Sequence, residues 1–269
     1  MTKYKIILFF TSLFFFGLPY AQVVIKEKDF TSKNILAQIF DGEFQEELNV
    51  QKWPVSKTQA LELNSSYIDF TKNAYTLVDT ILTMSLDTGM IKIVVFKTMQ
   101  VDSSGWIQDY IAAIPKMGLA MFSSQNGSFK FESFKLDVIN EYHDLITSEY
   151  RLESIGPSDV VVVFKEETHQ DLGKEFWIKT SHDFGIYLTY DYISLVQGEK
   201  STLIENSIEI VPTENQLYDL FLISKITPTD VINSDKVSKA KPLRTKLIYN
   251  NSDMMQHVQL PFGYSIQPK

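Results

Sequence analysis

The amino-acid sequence predicts an α+β protein, mainly an antiparallel β sheet or sandwich with an N-terminal helix. Two hairpin signals, a fully apolar pentapeptide and one stretch of helical spacing carry that expectation. In the first hairpin, Tyr75 to Leu86 and Met90 to Met99 are rich in β-branched and aromatic residues and flank Asp87-Thr88-Gly89. In the second, Gly118 to Ser123 and Phe129 to Val138 flank Asn126-Gly127, the dipeptide that tight hairpin turns favour. The pentapeptide, Val160 to Phe164, reads as a strand covered on both faces.

Taken in order, Val23 to Ile25 is a short strand candidate. Ser32 is a candidate helix cap, with Ile35, Leu36, Ile39 and Phe40 forming an apolar face at spacings of three and four. Trp53-Pro54 marks a break, because a residue before proline is pushed away from helical angles. Ser56 to Leu63 reads as a second short helix or an irregular connection. Within Phe129 to Val138 the apolar phase slips, since Phe129 and Phe131 are odd while Phe134, Leu136 and Val138 are even. A strand cannot change faces without an irregularity, which predicts a bulge near Glu132 or Ser133.

Arg151 to Ile155 pairs naturally with Val160 to Phe164 across Gly156-Pro157. Phe176 to Lys179, Gly185 to Val196 and Ile204 to Val211 extend the series. Leu217 to Ile226 closes it as a strand, although Leu217, Leu220, Phe221 and Ser224 also fit a helical period. The expected organisation is a signal segment over residues 1–21, one β-rich domain over 22–226, and a partly ordered tail over 227–269. The two halves share a rhythm of hairpins but no aligned residue pattern.

Lys3 and Lys5 precede an apolar run from Ile6 to Phe16, which Gly17 and Pro19 break before Ala21. That is the layout of a secretory signal peptide cleaved after Ala21, and it implies a secreted or periplasmic protein. No later run is long enough for a transmembrane span. All 33 acidic residues follow Ala21 while Lys3 and Lys5 precede it, so the exported chain is more acidic than the −8 of the whole. Such a surface argues against a nucleic acid partner. The basic stretch Lys236, Lys239, Lys241, Arg244 and Lys246 reads as a solvated tail. Being cysteine-free, the chain has no disulfide framework, no thiol nucleophile and no lipid-bearing N-terminal cysteine.

Motifs for chemistry are sparse. There is no Gly-x-Ser-x-Gly, His-Glu-x-x-His, phosphate-binding loop or calcium loop. No cofactor is expected. Paired carboxylates for glycoside hydrolysis are set in space rather than in sequence, so they stay open. The alternating run Glu167, His169 and Asp171 has the donor types and same-face spacing of a divalent metal site, against the plainer reading of a solvated hairpin loop. Asn64, Asn126 and Asn250 begin matches to the N-glycosylation pattern, which would be coincidental in the bacterial context that the signal segment suggests.

The aromatic strand is the most suggestive feature. Phe184, Tyr187, Tyr190 and Tyr192 lie close together, with Phe176 and Trp177 just before them. Aromatic rows on sheets serve either as core or as stacking platforms, and the second use would suit a glycan or a protein partner. The sequence therefore leads to a non-enzymatic binding or interaction protein. A hydrolase acting on envelope or extracellular polymers, and a structural envelope component, are the alternatives.

Tyr110 to Pro115, then Met117 to Phe122 and the Asn126-Gly127 turn before Phe131 and Phe134, resembles uncharacterised exported bacterial β-rich proteins. In those a Cys-x-x-Cys segment precedes the strand. Tyr110 and Ala113 occupy those positions here, so no thiol role carries over. The resemblance covers a small part of the chain and lends no activity. It implies a secreted, β-rich domain.

Overall fold

The computed structural model describes residues 24–63, 72–100, 115–139, 148–156, 159–168, 172–180, 183–196, 202–213, 218–228 and 242–247. Two seven-stranded antiparallel sheets account for most of them. The first half of the chain supplies β1 (Val24–Lys26), β2 (Glu43–Gln45), β3 (Val50–Pro54), β4 (Asn73–Leu86), β5 (Gly89–Gln100), β6 (Lys116–Gln125) and β7 (Ser128–Lys135). They assemble in the order β1-β7-β6-β5-β4-β3-β2, a meander to whose far side β1 returns. The second half supplies β8 (Ser148–Ser154), β9 (Val160–Thr168), β10 (Leu172–Lys179), β11 (Ile186–Val196), β12 (Thr202–Pro212), β13 (Tyr218–Pro228) and β14 (Leu243–Leu247). These seven lie in strict sequence order. Every strand pairing is antiparallel between chain neighbours except β1 with β7, so the fold is built almost wholly from hairpins.

Hydrophobic burial divides into three layers. In the outermost, α1 (Ser32–Ile39) lays Ile35 and Leu36 on one face of the first sheet, against Phe96, Ala120 and Phe122. Thr31 caps this helix, its hydroxyl accepting from the backbone N–H of Asn34, one residue before the serine that the sequence suggested. Phe40 stacks on Trp53 at 4.5 Å, and the Trp53 indole donates to the Thr76 hydroxyl, itself 2.7 Å from that of Thr98. A short helix α2 (Lys57–Glu62) follows, closed by a capping box between Ser56 and Gln59.

The middle layer joins the sheets. Ile93, Val95 and Leu119 from the first pack against Val162, Phe164, Phe176 and Ile178 from the second. The third layer lies on the opposite face of the second sheet, where Val161, Val163 and Trp177 share a cluster with Leu220, Leu222 and Leu247. β9 thus presents alternate residues to two cores, and all five residues from Val160 to Phe164 are buried. β12 pairs with β11 only from Thr202 to Glu205. Beyond that the ladder opens, and the Asn206 side chain donates to the Asp191 carbonyl across the gap. The strands β12 to β14 then fold over the third layer, burying its apolar residues.

Local irregularities decide which side chains face which core. Met121 pairs with Ser133 and Phe122 with Phe131, leaving Glu132 as a bulge that lets Phe131 and Phe134 both reach the helix-covered core. A second bulge, at Asp79, has no sequence signal: Val78 pairs with Phe96 and Thr80 with Val95. It turns even-numbered residues of β4 from the helix side to the inter-sheet side, where Leu82 packs. Leu243–Leu247, inside the stretch expected as a tail, is the edge strand β14, and its Arg244 and Lys246 pair with Glu209 and Asp219 at 2.7 and 2.6 Å. Just past β7, Asp137 is 4% exposed, and neither carboxylate oxygen meets a hydrogen-bond donor among the described residues.

Gly118 sits where β6 crosses the Phe96 ring, and a Cβ there would lie 2.2 Å from the ring and 2.8 Å from the Leu136 carbonyl oxygen. Gly118→Ala is therefore expected to cost about 1–3 kcal/mol by overpacking, read as a lower urea midpoint at unchanged slope. No helix among the described residues is long and apolar enough to cross a membrane.

Candidate ligand-binding face

The third layer carries a polar cluster as well as its apolar core. On β10, Glu175 and Trp177 are two residues apart and so share a face. β11 sets Tyr190 directly opposite Glu175. β8 sets Arg151 opposite Val163, from where its guanidinium reaches over β9 to the same carboxylate. The Glu175 Oε1 atom accepts from Arg151 Nη2 at 3.0 Å, Trp177 Nε1 at 2.8 Å and the Tyr190 hydroxyl at 2.6 Å. Its Oε2 atom accepts from Arg151 Nη1 at 3.2 Å, and the Nε atom of Arg151 donates to Glu153.

Glu175 is 5% exposed and Arg151, at the sheet edge, has 43% of its side chain in solvent. Burial alone would push the Glu175 carboxyl up, but the bonds from Arg151, Tyr190 and Trp177 outweigh it and hold the carboxyl below its usual range. Burial and the adjacent Glu175 carboxylate drive the Tyr190 hydroxyl upward, out of reach of ionisation at neutral pH. Around neutral pH the cluster therefore stays in one protonation state. Glu175 has no proton to give at neutral pH and is largely enclosed by its three partners, which suits a brace better than an acid or base.

Around this brace lie the aromatic residues singled out by sequence. Phe184 adopts a left-handed backbone angle of +45°, a strained choice for a bulky residue, and its ring is fully buried between the sheets. It belongs to the core. Tyr190, 9% exposed, is committed to Glu175. Tyr187 and Tyr192 are different: both are half-buried, and both are bulge residues. Trp177 pairs with Leu188 and Ile178 with Ile186, which omits Tyr187; Gly173 pairs with Ile193 and Lys174 with Asp191, which omits Tyr192. A strictly alternating strand would send Tyr187 to the opposite face from Tyr190, and the bulge brings it back to the third layer.

Each of these two rings carries a cation. The Lys165 ammonium lies 4.3 Å from the centre of the Tyr192 ring, and that of Lys179 lies 5.3 Å from the Tyr187 ring. Tyr192 also lies across Gly173, where a Cβ would come within 2.2 Å of its ring carbon, so glycine is the residue that lets the ring lie flat. The result is a rim of two tyrosines and two lysines, with Arg151 nearby, around a rigid ionic brace.

Of the metal candidates, Glu167 lies near the end of β9 with its backbone opposite Gly173. His169 and Asp171 fall in the link to β10, outside the described residues, as do His143, His182 and His257. Among the described residues no three His, Cys, Asp or Glu side chains are grouped to hold a metal ion. The segment Tyr110 to Ile114 of the sequence resemblance also lies outside them. Sequence reasoning missed Arg151 and Glu175. The alternation of Glu175 with Trp177 was visible, but the approach of Arg151 needs the register of three strands.

No family model matches the chain, and no curated protein or solved structure matches it.

Proposed function

We propose that this is an exported, non-enzymatic binding protein of the cell envelope or its surroundings. Its ligand-contacting surface is the rim formed by Tyr187, Tyr192, Lys165 and Lys179. The observation that carries this reading is the bulge that brings Tyr187 onto the face where Tyr192 already lies by alternation with Tyr190, each ring beneath a lysine. Half-buried tyrosines supply flat apolar ring area, and two lysines supply positive charge beside it, Lys165 sharing its own with Glu149 at 4.0 Å. That combination fits a glycan, acidic sugars best, ahead of an acidic segment of a protein partner.

The enclosure of Glu175 supports binding over hydrolysis, because this carboxylate is 5% exposed and already holds Arg151, Trp177 and Tyr190. Tyr190 and Phe184, first grouped with the rim, act behind it as brace and core. Export rests on the layout of residues 1–21, with Lys3 and Lys5 before the apolar run and cleavage after Ala21. The same reading takes the class as α+β, with α1 as the N-terminal helix docked on the first sheet through Ile35 and Leu36.

The test is thermal unfolding of the purified protein against neutral and acidic oligosaccharides and peptidoglycan fragments, with chromatography of each ligand afterwards. A ligand at a hundred times its dissociation constant adds about 2.7 kcal/mol of stability. A shift with an acidic glycan recovered intact is the expected result. Shortened products would replace binding by hydrolysis, and the absence of any shift would remove the glycan reading.

A further inference from the structure

Among the described residues the outer sheet edges are guarded, and of the stretches left unpaired by a shorter neighbour, β7 beyond Lys130 carries Glu132 and Lys135 and β11 before Ile193 carries Asp191. The end strands β1 and β2 are three residues long, while β8 carries Glu149, Arg151 and Glu153, and β14 carries Arg244 and Lys246. Short or charged edges are the usual means of blocking strand addition. β4 is not at the end of its sheet, yet β3 pairs only with Asn73 to Thr76. From Leu77 to Leu86 the outer side of β4 has no hydrogen-bonded neighbour among the described residues. Thr80 to Leu86 (TILTMSL) contains no charge, proline or glycine, and Ile81, Thr83 and Ser85 are exposed. In a chain of net charge −8 this is an unusually neutral, strand-prone edge.

We propose that Thr80 to Leu86 is a self-association surface, where β4 pairs antiparallel with β4 of a second copy across a twofold axis near Thr83. A second copy suits this edge for two reasons. An antiparallel strand edge is complementary to itself under twofold symmetry, so one sequence provides both halves of the contact. The neutral run also lets two acidic molecules meet without setting like charges opposite each other in its interior. In this register Ile81 meets Ser85 of the second copy, Leu82 meets Met84, and the two Thr83 side chains face each other. Asp79, held by Lys97 at 3.1 Å, and Asp87 fall at the two ends and limit the pairing to the seven residues between them.

Sedimentation of the purified protein across concentration, at low and high salt, tests this directly. The expected result is a monomer–dimer equilibrium that tightens with salt, because Asp79 approaches Asp87 of the second copy at the rim. Thr83→Lys sets two ammonium groups together at the axis and weakens the dimer about tenfold or more, with the melting temperature of the monomer retained. The cysteine-free chain permits a second reading: Thr83→Cys oxidises to a disulfide-linked dimer, whereas Ser85→Cys, away from the axis, does not. A wild type that stays monomeric at every concentration overturns the proposal and points to cover by the protein's own residues. A dimer that tolerates Thr83→Lys, or that fails to cross-link through Thr83→Cys, overturns it equally.

Discussion

Glu175→Ala is expected to lower the stability of the protein by about 3–5 kcal/mol, the largest effect of any single substitution in the third layer. The loss is larger than that of one hydrogen bond because three donors lose their acceptor together. Trp177 Nε1 and the Tyr190 hydroxyl would remain buried without it, and Arg151 would keep only Glu153. Each stranded buried donor costs about 1–3 kcal/mol. Denaturant unfolding measures the total, and a double-mutant cycle of Glu175→Ala with Arg151→Ala isolates the ion-pair share. A cost below about 1 kcal/mol would show that the brace bears no weight. Because the Glu175 carboxyl is held below its usual range, its contribution is present above the unfolded value of 4.5 and disappears as pH falls through the folded one.

Asp137 should behave in the opposite sense. Burial pushes its carboxyl from 3.8 to about 6, against the lowering influence of Lys116 and Lys135. A folded value above the unfolded one means that its stabilising contribution is full below 3.8 and is lost as pH rises through 6. At neutral pH the buried charge is thus a cost, on the order of 1–3 kcal/mol. Asp137→Asn is expected to raise the melting temperature at pH 7.5 and to flatten the pH dependence of stability between about 4 and 6. A variant that melts lower than wild type at pH 7.5 would mean that the ionised carboxylate is stabilising after all. With the two carboxyls opposed, the wild type should be more stable in mild acid than at neutrality.

Much of the β architecture was legible because its signals are local. Asn126 and Gly127 adopt left-handed angles of 52° and 75°, the geometry that made the dipeptide a turn signal. Since side-chain parity is a property of the chain alone, the phase slip between Phe131 and Phe134 placed the bulge near Glu132 or Ser133, and it falls at Glu132. Leu217 to Ile226 stayed ambiguous between helix and strand. The structure resolves it as β13, with Leu220 and Leu222 turned inward and Phe221 outward beneath Arg244.

The site was less legible. Tyr187 joins the face of Tyr190 and Tyr192 only through a bulge whose cause, pairing with β10, lies outside its own strand. Phe184 reads in sequence as part of the same aromatic row, yet its backbone turn inserts it between the sheets. The bulge at Asp79 is silent for a similar reason: β4 alternates tolerably on either side of it, and only the partner β5 reveals the extra residue.

Binding through the Tyr187–Tyr192 rim is tested most directly by comparing the wild type with the Tyr187→Ala/Tyr192→Ala variant against the same acidic oligosaccharides. Both rings are only partly buried at the margin of the third layer and outside the Glu175 brace, so the variant should fold. The expected result is a ligand-induced rise in melting temperature for the wild type, and a loss of at least about tenfold in affinity for the variant. Equal binding by the two proteins would contradict a ligand surface on this face of the second sheet.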